Sequence, residues 1–278
     1  MNGETPRSDR TVLTTGANSG IGLATVLRVA RLGFRSVGSV RSEAKASIVS
    51  QAAADAGVSV ETVQLDVTDA GSCADAIEQL RPWAIVNNAG YSGVGAVEDV
   101  SDDDALRQLD TMVVAPMRLA RLALPHMRAA GGGRIVNISS IYGLTTTPLT
   151  GWYQACKHAL EAVSDALRLE VARDGVKVVL VEPGGFKTGI WDEFDTEVGR
   201  RSGSSYEPAY RRIRALVEPF VMFMGEPDGV AKIVGRAMTA GSPRARYLVG
   251  RDALAIAATQ PLLPTGLRDR ITRLVVGL

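Results

Sequence analysis

The sequence predicts an α/β fold in which helices cover both faces of a doubly wound parallel sheet. Short β-branched runs alternate with longer segments rich in alanine and leucine from residue 11 onward. These runs are apolar, as is typical of strands buried on both faces of a sheet. Six strand-then-helix units in succession indicate parallel strands joined by right-handed crossovers. The prediction is a single Rossmann-type domain with a helical substrate lid and a C-terminal extension.

The same patterns place each element along the chain. The predicted strands cover residues 11–15, 35–40, 58–65, 83–87, 134–139, 176–181 and 246–249. The predicted helices cover residues 20–32, 43–56, 102–128, 152–173 and 228–240, and one more is capped by Asp69 and ends at Leu80. We expect Pro116 and Pro125 to kink or break the long helix over residues 102–128.

The length of 278 residues suits one large domain, so we assign residues 1–278 to a single unit. A segment of about 190–226 breaks the alternation with aromatic, arginine, glycine and serine residues. We interpret it as a lid insertion over the carboxyl edge of the sheet. A C-terminal tail of about 252–278 follows the last strand, and its final part from residue 262 onward is amphipathic.

Composition argues against several classes of function. The formal net charge of +1 gives no electrostatic basis for binding nucleic acid. The only cysteines and histidines are Cys73, Cys156, His126 and His158, too few for a Cys/His zinc site or a disulfide framework, so we expect no metal. The N-terminus is polar, and no apolar run approaches the roughly 18 to 20 residues of a membrane span. We therefore expect a cytoplasmic protein without an integral membrane segment.

A glycine-rich turn joins the first strand to the first helix. It reads T-G-A-N-S-G-I-G over residues 15–22. Glycines here let the backbone turn tightly and approach a pyrophosphate, which then sits among the free N–H groups of the helix N-terminus. A purely structural turn is the alternative, because glycine is the default turn residue.

This turn resembles the cofactor loop of the short-chain dehydrogenase/reductases, and three further motifs support the resemblance. Asn87-Asn88-Ala89-Gly90 after strand four is similar to the family's N-N-A-G. Asp66-Val67 after strand three matches the position that contacts the adenine of the cofactor in this family. P-G-G-F-K-T at residues 183–188 resembles the P-G-x-x-x-T that meets the nicotinamide. The match covers about residues 11–190. It implies cofactor contacts from Gly16, Asn18, Ser19, Gly20, Ile21, Gly22, Asp66, Val67, Asn88, Ala89, Gly90, Pro183, Gly184 and Thr188.

The end of the second strand bears on the choice of cofactor. An acidic residue there would bind the ribose 2′-hydroxyl of NAD, whereas an arginine accommodates the 2′-phosphate of NADP. Val40 occupies the acidic position and Arg41 follows it. The residues therefore favour NADP(H) over NAD(H), although Arg41 could also be an ordinary solvated charge.

Tyr153 and Lys157 lie four residues apart on a predicted helix, so they share one face of it. A neighbouring ammonium favours the phenolate and would lower the tyrosine pKa from its usual value near 10. Such pairs also occur by chance on helix surfaces. Ser140 strengthens the assignment, because it ends strand five and precedes the tyrosine by the family's spacing of 13 residues.

By resemblance, Ser140 would bind the substrate oxygen and Tyr153 would act as general acid or base. Lys157 would lower the tyrosine pKa and bind the nicotinamide ribose, and both helix residues would thus contact cofactor. Met112 departs from the family pattern, because it stands where an asparagine usually supports a water-linked proton path to the lysine.

These residues predict an oxidoreductase that transfers hydride between NADP(H) and a secondary alcohol or ketone of moderate, largely apolar size. The motif surroundings resemble the 17β-hydroxysteroid and retinol dehydrogenase branch. An NADP(H)-binding sensor with little turnover is the alternative, supported only by Met112. The family also implies a homodimer or homotetramer. Peripheral membrane association through residues 262–278 is a further possibility, which we weigh against packing of that segment on its own domain or a partner.

Overall fold

The computed structural model of the chain describes residues 6–188, 196–222 and 224–278. Within them, seven parallel strands form one sheet in the order β3-β2-β1-β4-β5-β6-β7. The strands are β1 Thr11–Thr14, β2 Arg35–Val40, β3 Glu61–Gln64, β4 Ala84–Asn87, β5 Gly133–Ile138, β6 Val176–Pro183 and β7 Arg246–Val249. The predicted doubly wound parallel sheet is confirmed.

Helices alternate with the strands and continue beyond them. They are α1 Gly20–Arg31, α2 Glu43–Asp55, α3 Ala70–Leu80, α4 Asp102–Leu109, α5 Ala115–Ala129, α6 Gly151–Glu170, α7 Glu207–Val221, α8 Pro227–Thr239, α9 Arg251–Thr259 and α10 Thr265–Val276. Residues 196–200 are also helical. In the described ranges no helix is both long and apolar enough to cross a bilayer.

Both faces of the sheet are buried, which explains why the strands are apolar along their whole length. Leu13, next to Val12 on β1, packs with residues of α3 and α5 on one face. Val12 packs with residues of α8 on the other face. Because successive strand side chains point to opposite faces, each short strand supplies both cores. Each fully buried valine or leucine contributes about 1.5–3 kcal/mol.

The long helix predicted over residues 102–128 is interrupted, but not by a proline. A π-helical turn, Asp110–Val114, separates α4 from α5, and the Ala115 N–H bonds to the Asp110 carbonyl five residues back. Pro116 lies in the first turn of α5, where a missing N–H costs little. Pro125 stays inside α5 without ending it, so the expected position of the break was wrong.

The sheet order creates a crevice at the point where the connections that follow neighbouring strands run to opposite sides of the sheet. After β1 the chain continues to β2 on one side, whereas β4 lies on its other side. Open α/β sheets bind ligands at such a switch point, at the carboxyl ends of the strands. The loops that follow β1 to β6, together with α6, carry the residues singled out from the sequence.

Candidate active site

The turn after β1 forms a cradle that only glycines can build. Gly16 and Gly20 have φ angles of +66° and +51°, in the left-handed region that favours glycine. At Gly22, a Cβ would lie 2.1 Å from the Gly16 carbonyl oxygen. Ser19 is the N-cap of α1 and its side chain makes no cap hydrogen bond. The first turn of α1 therefore presents backbone N–H groups suited to an anion.

The loop after β4 is fastened to this cradle. The Thr15 hydroxyl accepts hydrogen bonds from the backbone N–H groups of Asn88 and Ala89, each at 2.9 Å. The Asn88 amide donates to the carbonyl oxygens of Thr15 and Gly16 at 2.9 and 3.2 Å. The T-G and N-N-A-G motifs thus hold each other in place, which accounts for their polar residues.

A cleft of about 870 Å³ opens along the carboxyl edge of the sheet. Twelve of the predicted cofactor residues line it: Gly16, Asn18, Ser19, Gly20, Ile21, Arg41, Asp66, Val67, Asn88, Ala89, Gly90 and Thr188. Gly22 packs against the Gly16 carbonyl inside the turn and does not line the cleft. The cleft is also not lined by Pro183, Gly184, Ser140, Tyr153 or Lys157. Its volume is within the range of small-molecule and cofactor sites.

A second basic residue, Lys45, lies near the end of β2, and the sequence pattern did not indicate it. Lys45, on the first turn of α2, lines the cleft together with Arg41. On the other side, Thr68 donates to the Asp66 carboxylate from its hydroxyl at 2.7 Å and its N–H at 2.9 Å. These bonds hold the pKa of Asp66 below its ordinary value, and the charge of Arg41 adds to the effect.

Ser140, Tyr153 and Lys157 come together at the carboxyl end of β5. The Ser140 hydroxyl is hydrogen-bonded to the Tyr153 phenol and also accepts from the Tyr142 N–H at 3.2 Å. Lys157 Nζ lies 5.5 Å from the centre of the Tyr153 ring. It donates to the Ile138 carbonyl oxygen, the last of β5, at 2.9 Å. Strand and helix thus position all three groups.

Burial dominates the electrostatics of this cluster. It raises the pKa of Tyr153 to about 12, against a smaller lowering by the Ser140 hydrogen bond. It lowers the pKa of Lys157 to about 8, because the charged ammonium loses solvation. We expected the lysine to lower the tyrosine pKa, but here the loss of solvation outweighs any such effect. At neutral pH a charged Lys157 and a protonated Tyr153 predominate.

Tyr142 completes the wall beside the phenol. Its ring meets that of Tyr153 edge to face, with centroids 6.3 Å apart. Burial raises the pKa of Tyr142 as well. The sequence reasoning missed this residue, although it stands two positions after Ser140 at the same strand end.

A chain of buried amides connects β4, β5 and α6 below the site. Asn87 donates to Asn137 at 2.7 Å, and Asn137 donates to the Ser164 hydroxyl at 2.7 Å. All three side chains are buried. Because a misplaced buried amide would lose its partners, this chain fixes α6 against the strand that carries Ser140.

A cluster of three acidic residues around Arg246 begins with Glu161, one helical turn after Lys157 on α6. Arg246 on β7 donates to Glu161 at 3.1 Å and to Asp165 at 2.7 Å, and it lies 3.2 Å from Glu182 on β6. Burial and the charge of Glu161 raise the pKa of Glu182 to about 7. Arg168 also pairs with Asp165. Burial and the neighbouring Glu161 carboxylate therefore favour the protonated form of Glu182.

Met112 occupies the π-helical turn and is buried, at 2% exposure. Its side chain faces the N-N-A-G loop, because a Cβ on Gly90 would lie 3.5 Å from the Met112 sulfur. Methionine here fills space and offers no useful hydrogen bond. π-helical turns recur at functional sites of helices.

The P-G-G-F-K-T segment is held from the C-terminal side. The Asp252 carboxylate accepts from the Gly185 N–H at 2.6 Å. A Cβ on Gly184 would lie 2.3 Å from that carboxylate. Further along, Thr188 packs against Gly20, whose added Cβ would lie 3.1 Å from its methyl group. The segment therefore reaches the phosphate cradle through Thr188, whereas Gly184 serves the contact with α9.

The five aromatic residues from Phe186 to Tyr210 divide into three groups. Phe186 and Tyr210 are buried packing residues, and Tyr210 donates to the Asp99 carboxylate at 2.7 Å. Tyr206 is half-buried. Trp191 and Phe194 lie outside the described residues. The cleft is also lined by residues that the sequence did not indicate, namely Arg107, Gln108, Thr111, Glu197, Arg200 and Arg201.

The histidines and cysteines take structural positions. His158 Nδ1 is hydrogen-bonded to the Gln154 carbonyl at 2.9 Å, and His126 lies 3.3 Å from Glu78. Cys73 and Cys156 are buried and unpaired. Among the residues that the structure describes, no group of three or more His, Cys, Asp or Glu side chains could hold a metal ion.

The chain is similar in sequence to known proteins that identify its family. The family model for short chain dehydrogenase matches residues 10–199. The chain belongs to the short-chain dehydrogenase/reductase family. It is similar to the NADPH-dependent 3-dehydrocapnine reductase of Ornithobacterium rhinotracheale, 30% identical over 94% of this chain and 95% of that protein. It is also similar to retinol dehydrogenase 7 of Rattus norvegicus, 32% identical over 95% of this chain and 87% of that protein.

The fold of this short-chain dehydrogenase/reductase agrees with a solved relative. A short-chain dehydrogenase from Streptomyces avermitilis has 29% identity and a TM-score of 0.77, with coverage of 98% of this chain and 97% of that one. The family resemblance inferred from the four motifs is confirmed, and the protein is an oxidoreductase of this family.

Proposed function

We propose that this short-chain dehydrogenase/reductase transfers hydride between NADP(H) and a secondary alcohol or ketone that is of moderate size and largely apolar. One observation carries the proposal: Ser140, Tyr153 and Lys157 meet at the carboxyl end of β5, at the same sheet edge as a cleft suited to a dinucleotide. The tight turn at Gly16, Gly20 and Gly22 suits a pyrophosphate, because it leaves no room for side chains and presents the uncapped N–H groups of the first turn of α1.

The choice of NADP(H) over NAD(H) rests on this chain's own residues. Arg41 and Lys45 line the adenosine end of the cleft, and Val40 leaves no carboxylate at the end of β2. Two cations suit a 2′-phosphate, whereas a 2′-hydroxyl would gain little from them. The similarity to an NADPH-dependent reductase supports the same choice.

The protein's part in the reaction is proton transfer and positioning. When bound, the nicotinamide supplies the hydride. In reduction, the Tyr153 phenol gives its proton to the substrate oxygen, and in oxidation the phenolate takes it back. Ser140 donates a hydrogen bond to the same oxygen and orients it. A charged Lys157 favours the phenolate and binds the nicotinamide ribose, a role for which it must leave or share the Ile138 carbonyl.

The substrate class follows from two relatives and from the site. The two similar proteins are a 3-dehydrocapnine reductase and a retinol dehydrogenase. Tyr142 adds an aromatic ring beside the phenol. An apolar alcohol or ketone suits these surroundings. Arg107, Arg200 and Arg201, which line the cleft, would then meet a polar end of the substrate.

The alternative, an NADP(H)-binding sensor with little turnover, is supported only by Met112. The cluster of Ser140, Tyr153 and Lys157 supports catalysis instead. We further propose a cytoplasmic homodimer or homotetramer. Unpaired buried cysteines suit a reducing compartment, and exposed Leu106, Val114 and Leu169 on α4, the π-helical turn and α6 suit subunit contact.

A screen of apolar ketones and alcohols, followed by NADPH absorbance at 340 nm, tests the proposed function. We expect turnover of at least one secondary alcohol or ketone pair with NADPH, and slower turnover with NADH. Tight NADPH binding without turnover of any compound would favour the sensor. Equal rates with both cofactors would contradict the assignment of Arg41 and Lys45.

A further inference from the structure

The C-terminal helix α10 is attached to the protein by one narrow face. Val276 is the residue of α10 that is buried, and it packs in a cluster with Ala209 and Tyr210 of α7. Arg212 of α7 donates to the Leu274 carbonyl at 3.0 Å. These contacts fix the orientation of α10 about its own axis.

The opposite face of α10 is an exposed apolar stripe. At about 100° per residue, Val276 lies about 180° from Leu267, so the anchored face and the stripe point in opposite directions. We define the stripe by its four members, which follow at intervals of 4, 3 and 1 residues and are 46–68% exposed: Leu267, Ile271, Leu274 and Val275. Leu278, beyond the end of α10, is 48% exposed. Leu262 and Leu263, just before α10, are exposed as well.

Such an arrangement is the reverse of an ordinary surface helix, which turns its apolar face inward. An isolated helix of 12 residues is marginal in water, and burial of its apolar face normally stabilises it. The stripe is also too large a set of neighbouring apolar side chains for an unremarkable surface. It therefore requires an occupant.

The charges beside the stripe identify the occupant. On the helical wheel Arg268 and Arg270 flank the stripe on its two sides, and Arg273 lies behind Arg270. Asp269 lies on the anchored side of the helix, close to the direction of Val276, and its carboxylate is 3.9 Å from Arg268 Nε. A second copy of this chain meeting the stripe around a two-fold axis would bring the same flanking arginines together. An anionic surface would instead pair with them.

We propose that α10 docks the protein on an anionic lipid surface, with the stripe inserted among acyl chains and the flanking arginines at the headgroups. A helix of 12 residues is about 18 Å long and lies in the plane of the interface, because a span needs about 20 residues. Apolar insertion and attraction to anionic lipid act together in such helices. The inference does not depend on the proposed reaction.

Vesicle co-sedimentation of the full-length protein tests this proposal. We expect binding to phosphatidylcholine vesicles that contain about 30% phosphatidylglycerol, at least tenfold weaker binding to phosphatidylcholine alone, and weakening by high salt. Ile271→Glu should reduce binding at least tenfold. Ile48→Glu is the matched control, because Ile48 on α2 is exposed to 50% and Ile271 to 46%. Arg268→Gln/Arg270→Gln should abolish the preference for phosphatidylglycerol.

Two further measurements keep the result interpretable. Thermal unfolding and NADPH binding of each variant confirm that it folds. Light scattering reports the oligomeric state of the wild type and of Ile271→Glu. Absence of binding to either vesicle, equal loss in Ile48→Glu, or a change from oligomer to monomer in Ile271→Glu without vesicle binding would each overturn the proposal.

Discussion

Lys157 Nζ lies 5.5 Å from the centre of the Tyr153 ring, with the ammonium over the ring. Its hydrogen bond goes to the Ile138 carbonyl rather than to the phenol. The lysine is therefore held by β5 near the reacting group, and the loss of its solvation lowers its pKa to about 8. This cost in stability is a property of the site that can be measured.

Lys157→Met should stabilise the cofactor-free protein at pH 7 while lowering turnover. The folded pKa of about 8 is below the ordinary value of 10.5, so between these values the unfolded chain binds more protons and stability rises with pH. A neutral side chain avoids the burial cost, and we expect a gain of about 1–3 kcal/mol at pH 7. Denaturant unfolding at pH 7 and pH 10 measures it. A gain that is no larger at pH 7 than at pH 10 would contradict this reasoning.

Glu182→Gln should be more stable than the wild type at pH 8, and this advantage should be smaller at pH 5. The folded pKa of about 7 is above the ordinary value of 4.5, so the folded state binds more protons in this interval and wild-type stability falls as pH rises. The neutral variant avoids about 1–3 kcal/mol of this loss. Glu61→Gln is the control, since its exposed pair with Arg35 holds the Glu61 pKa below its ordinary value. A pH-independent difference for Glu182→Gln would contradict the raised pKa of Glu182.

Arg41→Ala/Lys45→Ala should weaken NADPH binding and leave NADH binding nearly unchanged. Loss of hydrogen bonds from charged groups to a phosphate costs about 1.5–3 kcal/mol each. Because two such contacts are lost, we expect the NADPH Kd to rise by at least about 100-fold, measured by NADPH fluorescence. Lys232→Ala, on α8 and paired with Asp228, is the control. An equal loss of NADH affinity would show that these side chains do not read the 2′ position.

Met112→Asn tests the departure from the family's proton path. If proton delivery limits turnover, the amide should raise kcat by about 2- to 10-fold, with a smaller solvent isotope effect. It should also cost about 1–3 kcal/mol of stability, because Met112 is 2% exposed and an amide would need new partners. Met112→Leu preserves volume and should leave kcat unchanged. An unchanged rate in Met112→Asn would show that another route serves the relay.

Much of the fold could be predicted from the sequence because the local pattern and the final structure agree. Residues 246–249 were predicted as the last strand and form β7. The third strand is shorter than predicted, because only Glu61–Gln64 pair with β2 at the edge of the sheet. The break before α5 was misplaced, since a π-helical turn has no sequence signal comparable to that of a proline.

The site was predictable where its residues follow one another closely in sequence or occupy strand ends. Tyr153 and Lys157 share a helical face, and Ser140 ends a strand. The contact of Arg246 with Glu161 and Glu182 could not be foreseen, because it depends on the packing of α6, β6 and β7. Lys45 was missed for a similar reason, since α2 turns its first residues back toward the end of β2.

Single-turnover reduction of a ketone identified by the screen, compared between the wild type and Tyr153→Phe, tests the central claim most directly. The account predicts that the variant binds NADPH within about twofold of the wild type. It predicts that oxidation of NADPH slows by about 10²–10⁴-fold, because the proton donor is lost while the ring remains. Rapid NADPH oxidation by Tyr153→Phe would contradict the assignment of Tyr153 as the general acid.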